Sequence, residues 1–187
     1  LVLALLAAAG PGAAEEPTVA AAEETRFILR VRGREAGFGW FRTEPAADGA
    51  VRFEGETLLK LLQNGQETVV RSKRVTLARP EDRFPREYRA TTWRDEQSSE
   101  YECRLDGDRL LLTAKVRGAP ASASFSTAAI GALIDYNAPE HFEIFLRGRL
   151  KTPGPFQAAA VVTEMMSALP LVGRVGAEEE IEVDGEP

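Results

Sequence analysis

From Thr25 onward, apolar and charged positions alternate with a period of two, the pattern of a strand that buries one face. Phe27, Leu29 and Val31 fall on one side, and Arg26, Arg30 and Arg32 on the other. Residues 33–37 predict a first turn and residues 38–43 a return strand. Asp48-Gly49 and Asn64-Gly65 are dipeptides that favour tight hairpins. Between them Val51, Phe53, Thr57, Leu59 and Leu61 alternate with Arg52, Glu54, Glu56 and Lys60, and residues 69–77 form the return strand. After a longer loop at 80–85, Tyr88, Ala90 and Thr92 share a face. A polar turn at 95–98 leads to Tyr101, Cys103 and Leu105, and Asp106-Gly107-Asp108 turns the chain into Leu110, Leu112, Ala114 and Val116.

About seven strands in a meander are expected from this pattern. Their short connections force antiparallel neighbours, and the one-sided apolar pattern buries one face. Several strands run near ten residues, and long twisted strands curl. The expected fold is therefore mainly β, a curved antiparallel sheet in the form of a half or near-closed barrel. A short helical segment packs on or in it.

Past residue 118 the texture changes. Residues 118–126 are small and polar with one Pro, which predicts a loop or lid, and 127–134 predict a short helix. Asn137 reads as an N-cap, with Pro139 in the first turn and Glu140 three residues after the cap, for a helix at 138–147. Phe142, Phe145 and Leu146 make its apolar stripe. Residues 156–164 and 180–183 read as further strands. The turn signal at 184–187 has no strand after it, so the C-terminus is expected to be incomplete.

The chain opens on nine apolar residues, then Gly10-Pro11, then small residues up to Ala14. That is the signature of a partial secretory signal peptide over 1–14, cleaved after Ala14, with a flexible leader at 15–24 and a single β-rich domain at 25–187. The run is too short for a membrane span, which needs roughly 20 residues. A periplasmic or secreted product is expected, with no stable membrane span in the mature chain. Arg outnumbers Lys 19 to 4, a usage that fits a GC-rich bacterial genome.

Composition and charge narrow the chemistry. The 187 residues are 44% hydrophobic and 28% charged, a single soluble domain rather than a disordered chain. One Cys and one His exclude an internal disulfide and a Cys/His zinc site within one chain. Acidic ends flank a mildly basic middle, against the clustered basic patch of a nucleic-acid binder, so no nucleic-acid partner is expected. Gly37-Phe38-Gly39 lacks the third Gly of a dinucleotide loop, and no Gly-x-Ser-x-Gly or His-Glu-x-x-His occurs. Asp135, Glu140, His141 and Glu143 include a single His, a weak metal set, and neither metal nor cofactor is expected. Cys103 lies on the apolar face of its strand with no helix N-terminus to activate it. It reads as a small buried hydrophobe, and a thiol hydrolase is the remote alternative.

The stretch from Leu133 to Phe142, Leu-Ile-Asp-Tyr-Asn-Ala-Pro-Glu-His-Phe, is similar to an Asp-Asn-Asn-x-x-x-His-aromatic motif. That motif occurs in secreted β-rich modules beside bacterial transglutaminase-like domains, and here Tyr136 stands where the first Asn would be. The motif residues are Asp135, Asn137 and His141. Leader, long antiparallel strands and late helix together resemble the exported half-barrel of bacterial outer-membrane lipoprotein carriers. The resemblance implies an apolar concavity for acyl chains. The expected function is a non-enzymatic binding module for a lipid-like or other hydrophobic ligand. Its pocket would lie between the sheet and the 118–137 segment, lined by Phe27, Leu29, Phe53, Leu59, Tyr101, Leu110, Leu112 and Phe142. The alternative is an accessory module of a larger exported protein, docking a partner domain.

Overall fold

A computed structural model describes residues 22–176 except 32, 47, 64, 82–83 and 150–152. Eight strands in sequence order form one antiparallel sheet: β1 (Glu23–Val31), β2 (Arg34–Pro45), β3 (Val51–Gln63), β4 (Gln66–Ala78), β5 (Pro85–Arg94), β6 (Gln97–Asp106), β7 (Arg109–Val116) and β8 (Ala119–Ser126). The sheet is not closed, so β1 and β8 are its edges. A second sheet pairs the short β9 (Ala132–Ile134) parallel to β10 (Gly154–Val162), which pairs antiparallel with β11 (Ser167–Val175). The only helix among the described residues, α1 (Pro139–Arg149), lies between β9 and β10 in sequence.

The meander follows from its turns. Asp48 (φ 79°) and Gly49 (φ 78°) are both left-handed, the conformation that a tight turn matching the strand twist needs. The β3–β4 hairpin then runs in unbroken register from Val51 opposite Ala78 to Gln63 opposite Gln66. Alternation does the rest: one face of the sheet (the core face) is covered, and the other (the open face) carries charged side chains.

Two different fillers cover the core face. Over β5–β7, Tyr88, Tyr101, Cys103, Leu110 and Leu112 pack on Leu133 of β9 and Val161 of β10. Over β2–β4, Phe41, Phe53 and Ala78 pack on Ile144 of α1. The far side of the helix packs Phe145 against Ala132, Ile134 and Ala160, with their rings and methyls closing a third cluster.

Several expectations need correction. Residues 119–126 are strand β8, not a loop or lid: the free edge of β7 templates a segment that apart from Phe125 is Ala, Ser and Pro. Residues 132–134 are strand, not helix, because three residues beside β10 complete a parallel ladder too short to show a period. The first turn is confined to the tip at Gly33, with β2 already under way at Arg34. β11 was not expected at all; Pro170 sits in it, as an edge strand allows. The leader, its cleavage point and the strand at 180–183 lie outside the described residues.

Candidate functional site

The motif residues converge at the start of α1, on a polar network between the helix and β3–β5. Pro139 occupies the first helical position, where its missing N–H costs nothing. Asp135 shapes the approach. Its Oδ1 accepts the Asn137 N–H (2.7 Å) and its carbonyl accepts the Ala138 N–H (3.0 Å). Its Oδ2 accepts the Tyr88 hydroxyl, and burial first, then the Asp135 charge, pushes the Tyr88 phenol well above its ordinary range.

Asn137 stands one residue ahead of the cap position, and its side chain does not turn to the helix. Its Nδ2 donates to Glu164 Oε1 (3.3 Å), while its carbonyl accepts from Thr57 Oγ1 (2.9 Å). Glu140 is likewise not the far half of a capping box. It turns into the sheet, where Arg74 donates to it from Nε (2.6 Å) and Nη2 (2.9 Å). Both side chains are fully buried. Arg74 spends Nη1 on Thr57 Oγ1 (2.7 Å), so the guanidinium is held on three sides. Gly55 makes this possible: a Cβ there would stand 3.1 Å from Arg74 Nη2 and 2.7 Å from the Trp40 carbonyl.

His141 is 1% exposed. Its Nδ1 accepts the backbone N–H of Asp135 (3.1 Å), so the proton sits on Nε2, which donates to Thr76 Oγ1 (3.1 Å). Burial holds its pKa below the usual imidazole value, against the opposing pull of Glu140 and Asp135. Its ring stands edge-on to Tyr88 at 4.7 Å. Both ring nitrogens are therefore committed to the protein itself, and the imidazole acts as a bracket between the helix start and β4–β5.

At the rim of the network the Glu164 carboxyl meets that of Asp135. It accepts the Tyr136 N–H (3.0 Å) and the Thr163 hydroxyl (2.9 Å). Burial, reinforced by the Asp135 charge, pushes Glu164 up to about 7. Cys103 is buried among apolar side chains, and burial pushes its thiol far up, the opposite of an activated nucleophile. Among the described residues no group of three or more His, Cys, Asp or Glu could hold a metal ion. None of their helices is long and apolar enough to cross a membrane.

The eight residues expected to line an apolar pocket separate into two sets. Phe53, Leu110 and Leu112 are 0% exposed and Tyr101 is 8% exposed, all inside the packed clusters. Phe27 and Phe142 pack at cluster margins. Leu133 and Val161 pack on Tyr101, Leu110 and Leu112, and part of the 118–137 segment is itself sheet. Leu29 and Leu59 differ: both point to the core face, both are only half-buried, and neither belongs to a core cluster.

A groove of about 610 Å³ lies on the open face instead, crossing β2 to β7. Trp40, Glu56, Lys73, Arg89, Glu102 and Lys115 project into it. Its charges largely answer one another, as in the pairs of Arg71 and Lys73 with Glu56 and of Arg89 with Glu102.

Sequence reasoning missed Arg74, Thr57, Thr76, Tyr88 and Glu164 as partners of the motif. For Arg74 a signal existed: the two-residue turn at Asn64-Gly65 sets Arg74 opposite Gly55, on the core face with Phe53 and Thr57. No protein-family model, curated protein or solved structure matches this chain.

Proposed function

We propose that this protein is a non-enzymatic periplasmic or secreted module that binds a lipid-like or other hydrophobic ligand. The binding surface is the part of the core face that α1 leaves uncovered. The supporting observation is the strip of Leu29, Leu59 and Leu61. These side chains face the covered side of the sheet, like Phe53 and Phe41, yet are only partly buried, and among the described residues no helix or second-sheet residue packs on them in the core clusters. Apolar surface held open on a rigid sheet is a ready site for an acyl chain. The motif network serves this site indirectly, by fixing where the helix starts and therefore how much of the sheet stays bare.

The test is titration of the folded protein with a fluorescent fatty-acid probe. Leu59→Ser should weaken uptake about tenfold while preserving cooperative unfolding, since losing one well-buried aliphatic contact is worth about 1.5–3 kcal/mol. No saturable uptake by the wild type would defeat the reading. The open-face groove favours a second reading, an accessory module docking a partner domain. Trp40→Ala, on the other face, should leave probe uptake unchanged but weaken a docked domain.

A further inference from the structure

The same end of the sheet carries a second apolar surface, on the open face. Ile28, Phe38 and Leu58 stand directly opposite one another on β1, β2 and β3. Ile28 is 58% exposed, Phe38 57% and, two repeats of the pleat beyond Leu58, Leu62 76%. Large apolar side chains this exposed and this close together are unusual on a soluble surface, where they occur singly. The β1–β2 and β3–β4 hairpins both turn at this end, so the patch sits at the tip of two neighbouring hairpins.

Charge singles out the same tip. The chain as a whole carries −6, yet residues 28–38 and 58–70 hold four bases against two acids. Arg30, Arg34 and Lys60 are exposed beside the apolar side chains. A positive, apolar tip on a negative protein is complementary to one surface in particular. An anionic bilayer offers negative headgroups to the bases and an acyl boundary to Phe38, Ile28 and Leu62. A protein partner could match the apolar side chains, but the exposed bases at this tip match an anionic surface, whereas the charges around the open-face groove further along the sheet largely pair with one another.

We infer that the tips of the β1–β2 and β3–β4 hairpins dock the protein peripherally on an anionic lipid bilayer, with Phe38 and Leu62 entering the headgroup boundary. The inference deepens the lipid-binding reading, since docking would bring the bare strip at Leu29 and Leu59 beside the bilayer. It rests on different side chains, so each can fail alone.

The experiment is co-sedimentation of the full chain with vesicles of pure phosphatidylcholine and of equal phosphatidylcholine and phosphatidylglycerol. The wild type should bind the anionic vesicles at least about tenfold more tightly, and 0.5 M salt should abolish most of that preference. Phe38→Ser with Leu62→Ser should reduce binding by a further tenfold or more. Both residues are exposed, so thermal unfolding should be nearly unchanged. Arg30→Glu with Arg34→Glu should remove the preference for anionic vesicles. Equal binding to both vesicle types, or full binding by the Phe38/Leu62 variant, overturns the inference. Absence of vesicle binding also overturns it and assigns the patch to a protein partner. Fatty-acid probe uptake by the same variants, measured without vesicles, separates this failure from failure of the lipid-binding reading.

Discussion

The two halves of the large sheet are covered by different chemistry. Over β5–β7 the seat is apolar: Cys103, Leu110 and Leu112 meet Leu133 and Val161. Over β3–β4 it is substantially polar: Thr57, Arg74 and Thr76 meet Glu140, His141 and the Asn137 carbonyl. Apolar contact is non-directional and rewards area alone. A buried ion pair in which each guanidinium nitrogen is hydrogen-bonded tolerates little displacement of its partner, because a slip leaves a charge unpaired. The apolar half therefore supplies adhesion, and the polar half supplies position. The helix needs position more than β9 does, since β9 is already located by its ladder to β10.

The sharpest way to break this contrast is to unpair the polar seat. Glu140→Ala leaves Arg74 buried with no counter-charge and should cost about 3–5 kcal/mol in urea unfolding. Replacing both residues, Arg74→Met with Glu140→Leu, should cost distinctly less than Glu140→Ala. A double variant as damaged as the single one would show that position does not come from the pair. In the apolar half, Leu112→Ala should cost about 2–5 kcal/mol by truncation and cavity formation, and the unfolding should stay cooperative. Loss of cooperativity there would mean that the apolar half also sets position.

A smaller effect is expected at the hinge between the halves. Asn137→Ala removes the hydrogen bond to Glu164 and should cost about 1 kcal/mol. A loss several times larger would show that the side chain does more than tie two loops together.

The subtlest test is the pH dependence. The folded protein holds Glu164 near 7, above the ordinary value of 4.5, so the folded state binds this proton more tightly than the unfolded chain. Stability from this group is fully present below pH 4.5 and is lost as pH rises toward and through 7. His141 acts in the opposite sense. Its pKa is lowered in the fold, so its contribution is present above 6.5 and lost as the solution becomes more acid. Unfolding free energies of Glu164→Gln and wild type, compared between pH 4.5 and 8, should differ by a slope that falls with rising pH. Parallel profiles would show that burial in the fold does not raise the Glu164 carboxyl.

The meander was legible in the sequence because its information is local. Asp48-Gly49, Asn64-Gly65 and Asp106-Gly107 mark turns, and alternation marks the buried face between them. β8 was illegible because Ala, Ser and Pro carry no alternation, and the neighbour β7 imposes the strand. The motif showed that something is built around Asp135, Asn137 and His141, but its short spacing suggested a cap. The partners on the large sheet lie 47 to 80 residues away, on β3, β4 and β5, and reach the motif only once the sheet has formed. Arg74 was hidden because charge argues for solvent unless pairing register is worked through strand by strand. Leu29 and Leu59 share the apolar character of Leu110 and Leu112, and what separates them is that Leu133 and Val161 pack on the latter pair.

The chain has a single histidine, and its two ring nitrogens contact two different parts of the fold. Nitrogen spectroscopy of the protein would thus show one imidazole, free of overlap, frozen in the Nε2–H form while the helix is seated. When the helix lifts from β4 the ring would lose the Thr76 hydroxyl, and its Nε2 signal would move toward that of a free imidazole. The molecule carries its own reporter for helix docking, readable without any added label and independent of whatever ligand the module takes.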